Sequence, residues 1–215
     1  MLKLNNIMKT RLISIGLILM LSATLAVAQS TDKAKISFAI LGGVNFQNLN
    51  GKLSSGDKLT NDMLLGFHVG VNVQIPLAPE FYFQPGLMFA IKGAKNTTTI
   101  FGAEFTDVTK INYIEMPLNM VYKGSLGNGF VMIGIGPYLA YGISGKQIIA
   151  GDSFTFERGV DYDAFDAGGN IFAGYETASG IFFQLDAQLG MININPDDNI
   201  TTKNTGFGLS VGYRF

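Results

Sequence analysis

The sequence predicts an all-β chain, an eight-stranded antiparallel up-and-down transmembrane β-barrel. Three observations carry that expectation. Apolar and small polar residues alternate with period two over eight stretches of the chain. The face opposite the apolar one is built mainly from Gly, Ala, Ser, Asn and Gln rather than from the Lys, Glu, Thr and Arg of a water-washed sheet. Short and long connections alternate strictly, which places all long connections at one end.

The chain of 215 residues opens with a secretory signal over residues 1–28. Lys3, Lys9 and Arg11 form a basic start, residues 12–21 an apolar run, and Ala26-Val27-Ala28 a small-x-small cleavage site before Gln29. The run is short for a membrane anchor, which needs about 20 residues. No Cys stands at the cleavage site to carry a lipid. Met8 is an alternative start, because a complete signal opening follows it. The barrel domain is then 29–215.

The strands follow in order. In the first, Ile36, Phe38, Ile40 and Val44 alternate with Lys35, Ser37, Ala39, Gly43 and Asn45. The second sets Leu65, Phe67, Val69, Val71, Val73 and Ile75 against Gly66, His68, Gly70, Asn72 and Gln74. The third sets Phe81, Phe83, Leu87, Phe89 and Ile91 against Tyr82, Gln84, Gly86, Ala90 and Lys92. The fourth sets Ile114, Met116, Leu118, Met120 and Tyr122 against Tyr113, Glu115 and Asn119. In the fifth, Val131, Ile133, Ile135, Leu139, Tyr141 and Ile143 oppose Gly134, Gly136, Ala140, Gly142 and Ser144. In the sixth, Phe165, Ala167, Ile171, Ala173 and Tyr175 oppose Asp166, Gly168, Asn170 and Gly174. The seventh has Ile181, Phe183, Leu185, Leu189 and Met191 against Gln184, Asp186, Gln188 and Gly190. The eighth has Phe207, Leu209, Val211, Tyr213 and Phe215 against Gly206, Gly208, Ser210, Gly212 and Arg214.

Residues 76–80, 123–129 and 177–180 read as short turns. Residues 46–62, 93–110, 146–161 and 195–204 read as long polar loops. A soluble barrel or sandwich would bury the apolar face. Small side chains instead suit the cramped interior of a narrow barrel, so the apolar face points outward, into lipid. Phe81, Phe83, Tyr122, Phe130, Tyr175, Tyr213 and Phe215 at the short-turn end, and Phe46, Tyr141 and Phe165 near the other, read as interfacial girdles.

Composition narrows the chemistry. Cys is absent and His68 is the single histidine, which excludes thiol chemistry, Cys-based metal sites and His clusters. Without residues 1–28 the chain keeps twelve bases and sixteen acids, a net charge of −4, which excludes a nucleic-acid binder.

The motif Tyr113-Ile114-Glu115-Met116-Pro117-Leu118 resembles the Tyr-aliphatic-Glu-aliphatic-Pro-aliphatic strand of the PorT-type outer-membrane β-barrel family of Bacteroidetes-like bacteria. Gly134-Ile135-Gly136-Pro137-Tyr138 is similar to that family's Gly-x-Gly-Pro-Tyr strand. Gly190-Met191-Ile192-Asn193-Ile194 and the terminal Gly212-Tyr213-Arg214-Phe215 match in style. The resemblance implies an eight-stranded outer-membrane barrel. PorT itself is tied to protein secretion, a role no residue here singles out. Tyr213 and Phe215 also resemble the signal read by the barrel-assembly machinery, although Ser210 stands where that signal favours Gly.

The candidate site is an interior polar cluster of His68, Lys92, Glu115, Asp166, Asp186 and Arg214. Lys92 and Glu115 lie on neighbouring strands and are expected to pair and plug the lumen. His68 points inward, away from the lipid where a lipid hydrolase would need it. No catalytic, cofactor or metal residue is assigned. Acids at 161, 163 and 166 resemble part of a calcium loop but lack its Gly and final Glu. Residues 195–199 read as turn chemistry, and 124–129 as a flexible turn rather than a phosphate loop. Pro85, Pro117 and Pro137 each remove a ladder donor, which predicts a weakened patch, a possible partner-facing or gating side, across strands three to five. The expected partners are outer-membrane lipid, the assembly machinery and an external ligand or protein at the long loops, chiefly 46–62 and 93–110. Both termini are expected to face the periplasm. The function expected is structural, adhesive or loop-mediated binding; the alternatives are a narrow channel for small solutes and an accessory role in secretion.

Overall fold

A computed structural model describes residues 35–100, 103–149, 151–157 and 159–215. The expected signal, 1–28, lies outside the described residues. Among the described residues nine strands form: β1 (Ser37–Lys52), β2 (Asp62–Ala78), β3 (Phe81–Ile100), β4 (Ala103–Leu126), β5 (Gly129–Ile149), β6 (Asp152–Phe156), β7 (Phe165–Glu176), β8 (Ile181–Gly190) and β9 (Thr201–Arg214). Every pairing is antiparallel. Eight of the strands close a ring, because β1 pairs with both β2 and β9 while β5 pairs with both β4 and β7. The ninth, β6, folds back on the upper part of β5 and stands outside the ring.

The period-two pattern is inverted relative to a soluble protein. Among the described residues, 39 large apolar side chains are exposed and 16 apolar side chains are buried. Val71, Ile135 and Leu185 are 51%, 62% and 63% exposed, while Asn72, Lys92 and Glu115 on the opposite face are 6%, 1% and 2% exposed. Closure leaves no free edge in the ring, so lipid need not satisfy backbone groups there. None of the described residues is helical, and no helix is long and apolar enough to cross a membrane.

Two expected loops prove to be ladders. Residues 93–100 and 103–110 continue β3 and β4 as one ladder, paired from Gly93↔Lys110 to Ile100↔Ala103. Residues 145–149 pair with 152–156 as the β5–β6 ladder. Both stretches are polar yet rich in Thr, Ile and Phe, which suit a pleated surface. The β3–β4 hairpin runs about 35 Å of strand past Ile114, the last lipid-type residue of β4. A register shift between Asn112 and Tyr113 turns Ser144 to the outer face, where Asn112 donates to it at 2.8 Å. That corrects its inward placement. Phe130 is likewise not a lipid-facing girdle residue, because it lines the lumen mouth under the Lys123 ammonium, 4.8 Å from its ring centre.

The prolines interrupt pairing without shifting register. The β2–β3 ladder omits Val73 and Gln74 against Gln84 and Pro85. The β3–β4 ladder omits Gly86 and Leu87 against Met116 and Pro117. The β4–β5 ladder omits Leu118 and Asn119 against Gly136 and Pro137. The β5–β7, β7–β8, β8–β9, β9–β1 and β1–β2 ladders run unbroken.

Candidate functional site: the barrel interior

The interior is filled from the inward parity of all eight ring strands. Two apolar plugs occupy it. One, toward the long hairpins, gathers Leu49, Ala94, Ile111, Tyr113, Tyr138, Ala140, Tyr162 and Ile194, with Phe156 packed against it. The other, toward the short turns, gathers Ala39, Leu41, Val121, Met132, Phe172 and Phe182, with Tyr82 and Met88 against it. The rings need glycines as seats. Gly134 lies opposite Phe172 and Gly212 opposite Phe182, and a Cβ at either glycine would collide with the facing ring.

An ion cluster adjoins each plug. At the first, Lys92 Nζ lies 2.6 Å from Glu115 Oε2 and 3.8 Å from Asp166 Oδ2. All three side chains are 0–2% exposed. The Lys92 ammonium also sits 4.2 Å from the Tyr138 ring centre and 5.5 Å from that of Tyr113. The Tyr138 hydroxyl donates to Asp166 at 3.2 Å and the Asn204 amide donates to the same oxygen at 3.0 Å. Gln188 donates to the second oxygen of Glu115. Burial this deep is tolerated because each charge is ion-paired and both carboxylates also accept hydrogen bonds.

At the second, Glu176 receives Lys123 at 2.6 Å and Arg214 Nε at 2.9 Å. Arg214 also donates to Asn72 at 3.2 Å and to Gln84 at 3.4 Å, and its guanidinium lies 5.5 Å from the Phe182 ring.

Between the plugs lies a cavity of about 50 Å³ lined by His68, Asn72, Asn119, Asn170, Gln184, Asp186, Gln188 and Ser210 among others. It has room for a few water molecules. His68 Nε2 is 2.7 Å from the Ser210 hydroxyl. Asp186 faces Gly208 across the β8–β9 pair, and its carboxylate fills the space a Cβ there would need.

The six sequence-derived residues therefore separate. Lys92, Glu115 and Asp166 come together, His68 and Asp186 share the central cavity, and Arg214 joins the distant second cluster. Tyr213 and Phe215 stack edge to face with ring centres 5.0 Å apart on the outer wall. Lys123, Glu176, Asn204, Tyr138 and Ser210 also hold these interior groups, beyond the six residues the sequence points to as the cluster. Glu176 carried a signal, since it shares the inward parity of Asp166, Asn170 and Gly174. The acids of 161–166 do not converge. Asp161 accepts from the Glu157 amide at 2.6 Å, Asp163 is exposed, and Asp166 is buried in the lumen. Among the described residues no group of three His, Cys, Asp or Glu side chains is arranged to hold a metal. Residues 195–199 do make the expected turns, with Asn195 and Asp197 each accepting from an amide two residues on at 2.9 Å.

Comparison with known proteins adds a family. The outer membrane protein beta-barrel domain matches residues 27–195. None of the curated proteins matches the chain. Among solved structures, Neisserial surface protein A is 15% identical with a TM-score of 0.44, covering 82% of this chain and 95% of that one. The Ail protein of Yersinia pestis is 12% identical with a TM-score of 0.41, covering 83% and 98%. The N-terminal barrel domain of Pseudomonas aeruginosa OprF is 14% identical with a TM-score of 0.41, covering 84% and 97%. The closed ring, the lipid-type exterior and the family match carry the assignment. The chain belongs to the outer membrane protein beta-barrel domain family and is an outer-membrane β-barrel.

Proposed function

We propose that this barrel is a sealed, non-enzymatic scaffold that works through its long hairpins, binding or adhering to an external ligand or protein. In this reading the short turns and both termini face the periplasm, and residues 1–28 are removed on export. The observation that carries it is the doubly plugged lumen, in which Lys92, Glu115 and Asp166 are 0–2% exposed. A path for solutes would have to break that cluster. The elements that project past the lipid-type belt are the β3–β4 and β5–β6 hairpins. Rigid scaffolds commonly carry function on such projections. Lipid itself and the assembly machinery are the remaining partners, the latter through Tyr213 and Phe215. The finer PorT-type likeness, and the secretion role it suggests, rests on the motifs around Glu115 and Pro137.

The test is to replace residues 97–106 by a two-residue Asn-Gly turn. The trimmed barrel is expected to assemble and keep heat-modifiable migration, while cells carrying it lose attachment to host or matrix surfaces. Attachment equal to that of the full-length protein overturns the hairpin role.

A further inference from the structure

The exterior carries a second feature, a lysine-only groove at the long-hairpin end. Lys52, at the end of β1, is bridged directly to Lys58 of the following loop. On its other side β1 pairs with β9, with Asn50 opposite Lys203 and Lys52 opposite Thr201. Lys203 is therefore the diagonal neighbour of Lys52 on the same face. Three ammonium groups stand side by side across three backbone segments. Like charges so placed repel one another, and a cross-strand partner of opposite sign is the usual remedy. None is present. The lining of this groove of about 630 Å³ holds Lys52, Lys58 and Lys203 with Asn50, Thr201 and Leu189, and includes no acid. None of the three lysines makes an ion pair among the described residues. The same end also carries Asp152, Glu157, Asp161, Asp163, Asp197 and Asp198 together with Lys95, Lys110 and Lys146, none of which lines the groove. Asp57, next to Lys58 in the turn, accepts from the Ser55 hydroxyl at 2.9 Å, and Asp197 accepts from Asn199.

The groove opens on the lipid side of the wall. Inward parity in β1 runs through Asn45, Gln47 and Leu49, all buried, so Lys52 faces out. In β9 it runs through Asn204, Gly208 and Ser210, so Lys203 faces out as well. Leu189, 59% exposed, lies on the groove's edge. Down the same faces, four residues from Lys203 and six from Lys52 (about 14 and 20 Å of strand), Phe46 and Phe207 stack with ring centres 5.1 Å apart. A ligand that satisfies this arrangement has an anionic head and an apolar body running down the wall.

We propose that Lys52, Lys58 and Lys203 bind the phosphate-bearing headgroup of an outer-leaflet glycolipid, whose acyl chains lie along Leu189 and the Phe46–Phe207 pair. This rests on the reading that the long hairpins face outward. The site then anchors the β1–β2 loop and orients the barrel at the membrane surface.

The experiment uses the full chain purified in detergent. Native mass spectrometry follows binding of bisphosphorylated lipid A, enzymatically dephosphorylated lipid A and soluble glucosamine 1-phosphate. Wild type is expected to prefer the phosphorylated lipid by about tenfold or more, the scale of one or two charge-assisted hydrogen bonds. The Lys52→Gln/Lys203→Gln variant loses that preference, while a Lys95→Gln/Lys110→Gln control keeps it. Equal preference in wild type and the groove variant overturns the proposal. So does lysine-dependent binding of glucosamine 1-phosphate without preference for the phosphorylated lipid, which would make the ligand a free anion. Labelling of a Ser55→Cys variant by an impermeant maleimide on intact cells tests orientation separately. Absence of labelling sinks the outward reading of this end without touching the lipid ratio measured in detergent.

Discussion

The two ion clusters that adjoin the plugs are mirror images in charge. Toward the long hairpins one cation, Lys92, serves two carboxylates, Glu115 and Asp166. Toward the short turns two cations, Lys123 and Arg214, share one carboxylate, Glu176. They also differ in burial. The first is 0–2% exposed and walled by Tyr113 and Tyr138, whereas the second is 5–10% exposed at an open mouth. The contrast teaches where the seal is strongest. A charge stripped of its partner deep in the lumen is cut off from bulk solvent, while one at a mouth is not.

The largest effect is expected at Lys92. Lys92→Met leaves two carboxylates facing each other in the dry plug and should cost about 3–5 kcal/mol, read from urea unfolding in phosphatidylcholine vesicles. Adding Glu115→Leu is expected to recover most of that loss, since Asp166 keeps its Tyr138 and Asn204 donors. A double variant no better than the single one would show that packing, not charge, sets the cost.

Glu176→Gln comes next. It removes the carboxylate shared by Lys123 and Arg214, but Arg214 retains Asn72, Gln84 and the Phe182 ring. The expected loss is about 1–3 kcal/mol. A loss equal to that of Lys92→Met would erase the distinction between dry plug and wet mouth.

Between the clusters, amides beside the ladder gaps at Pro85, Pro117 and Pro137 are expected to exchange about tenfold faster than those of β7–β9, one missing ladder bond being worth about 1 kcal/mol. Uniformly slow exchange around the ring would remove the weakened seam. The smallest effect belongs to His68→Gln, which keeps a donor toward Ser210 and should change stability by less than about 1 kcal/mol. Lipid A mass spectra from cells with and without the protein are expected to be identical; a new deacylated or modified species abolished by His68→Gln would make the chain an enzyme.

Much of this was legible in the residues because a period of two leaves little freedom. Once Val69 and Val71 face lipid, His68 and Asn72 must face in, and the Lys92–Glu115 contact follows from adjacency of β3 and β4. The partners of those groups were less legible. Glu176 meets Lys123 and Arg214 across separations of 53 and 38 residues, and Lys123 stood where a turn was expected. Asn204 reaches Asp166 from what read as the last residue of a loop. The Thr-rich stretch 93–110 reads as a loop from its charge and polarity, whereas its β-branched residues suit the ladder it forms. Small inward residues read as a cramped lumen; their second use, as seats for Phe172 and Phe182, depends on register across strands, which composition does not carry.

This barrel turns its apolar side chains outward and closes its interior around the Lys92 cluster. Single-channel recording of the purified wild-type protein in planar bilayers tests it most directly. A silent membrane is expected, broken at most by rare, brief, small currents. A stable, large conductance from the wild-type barrel would contradict it.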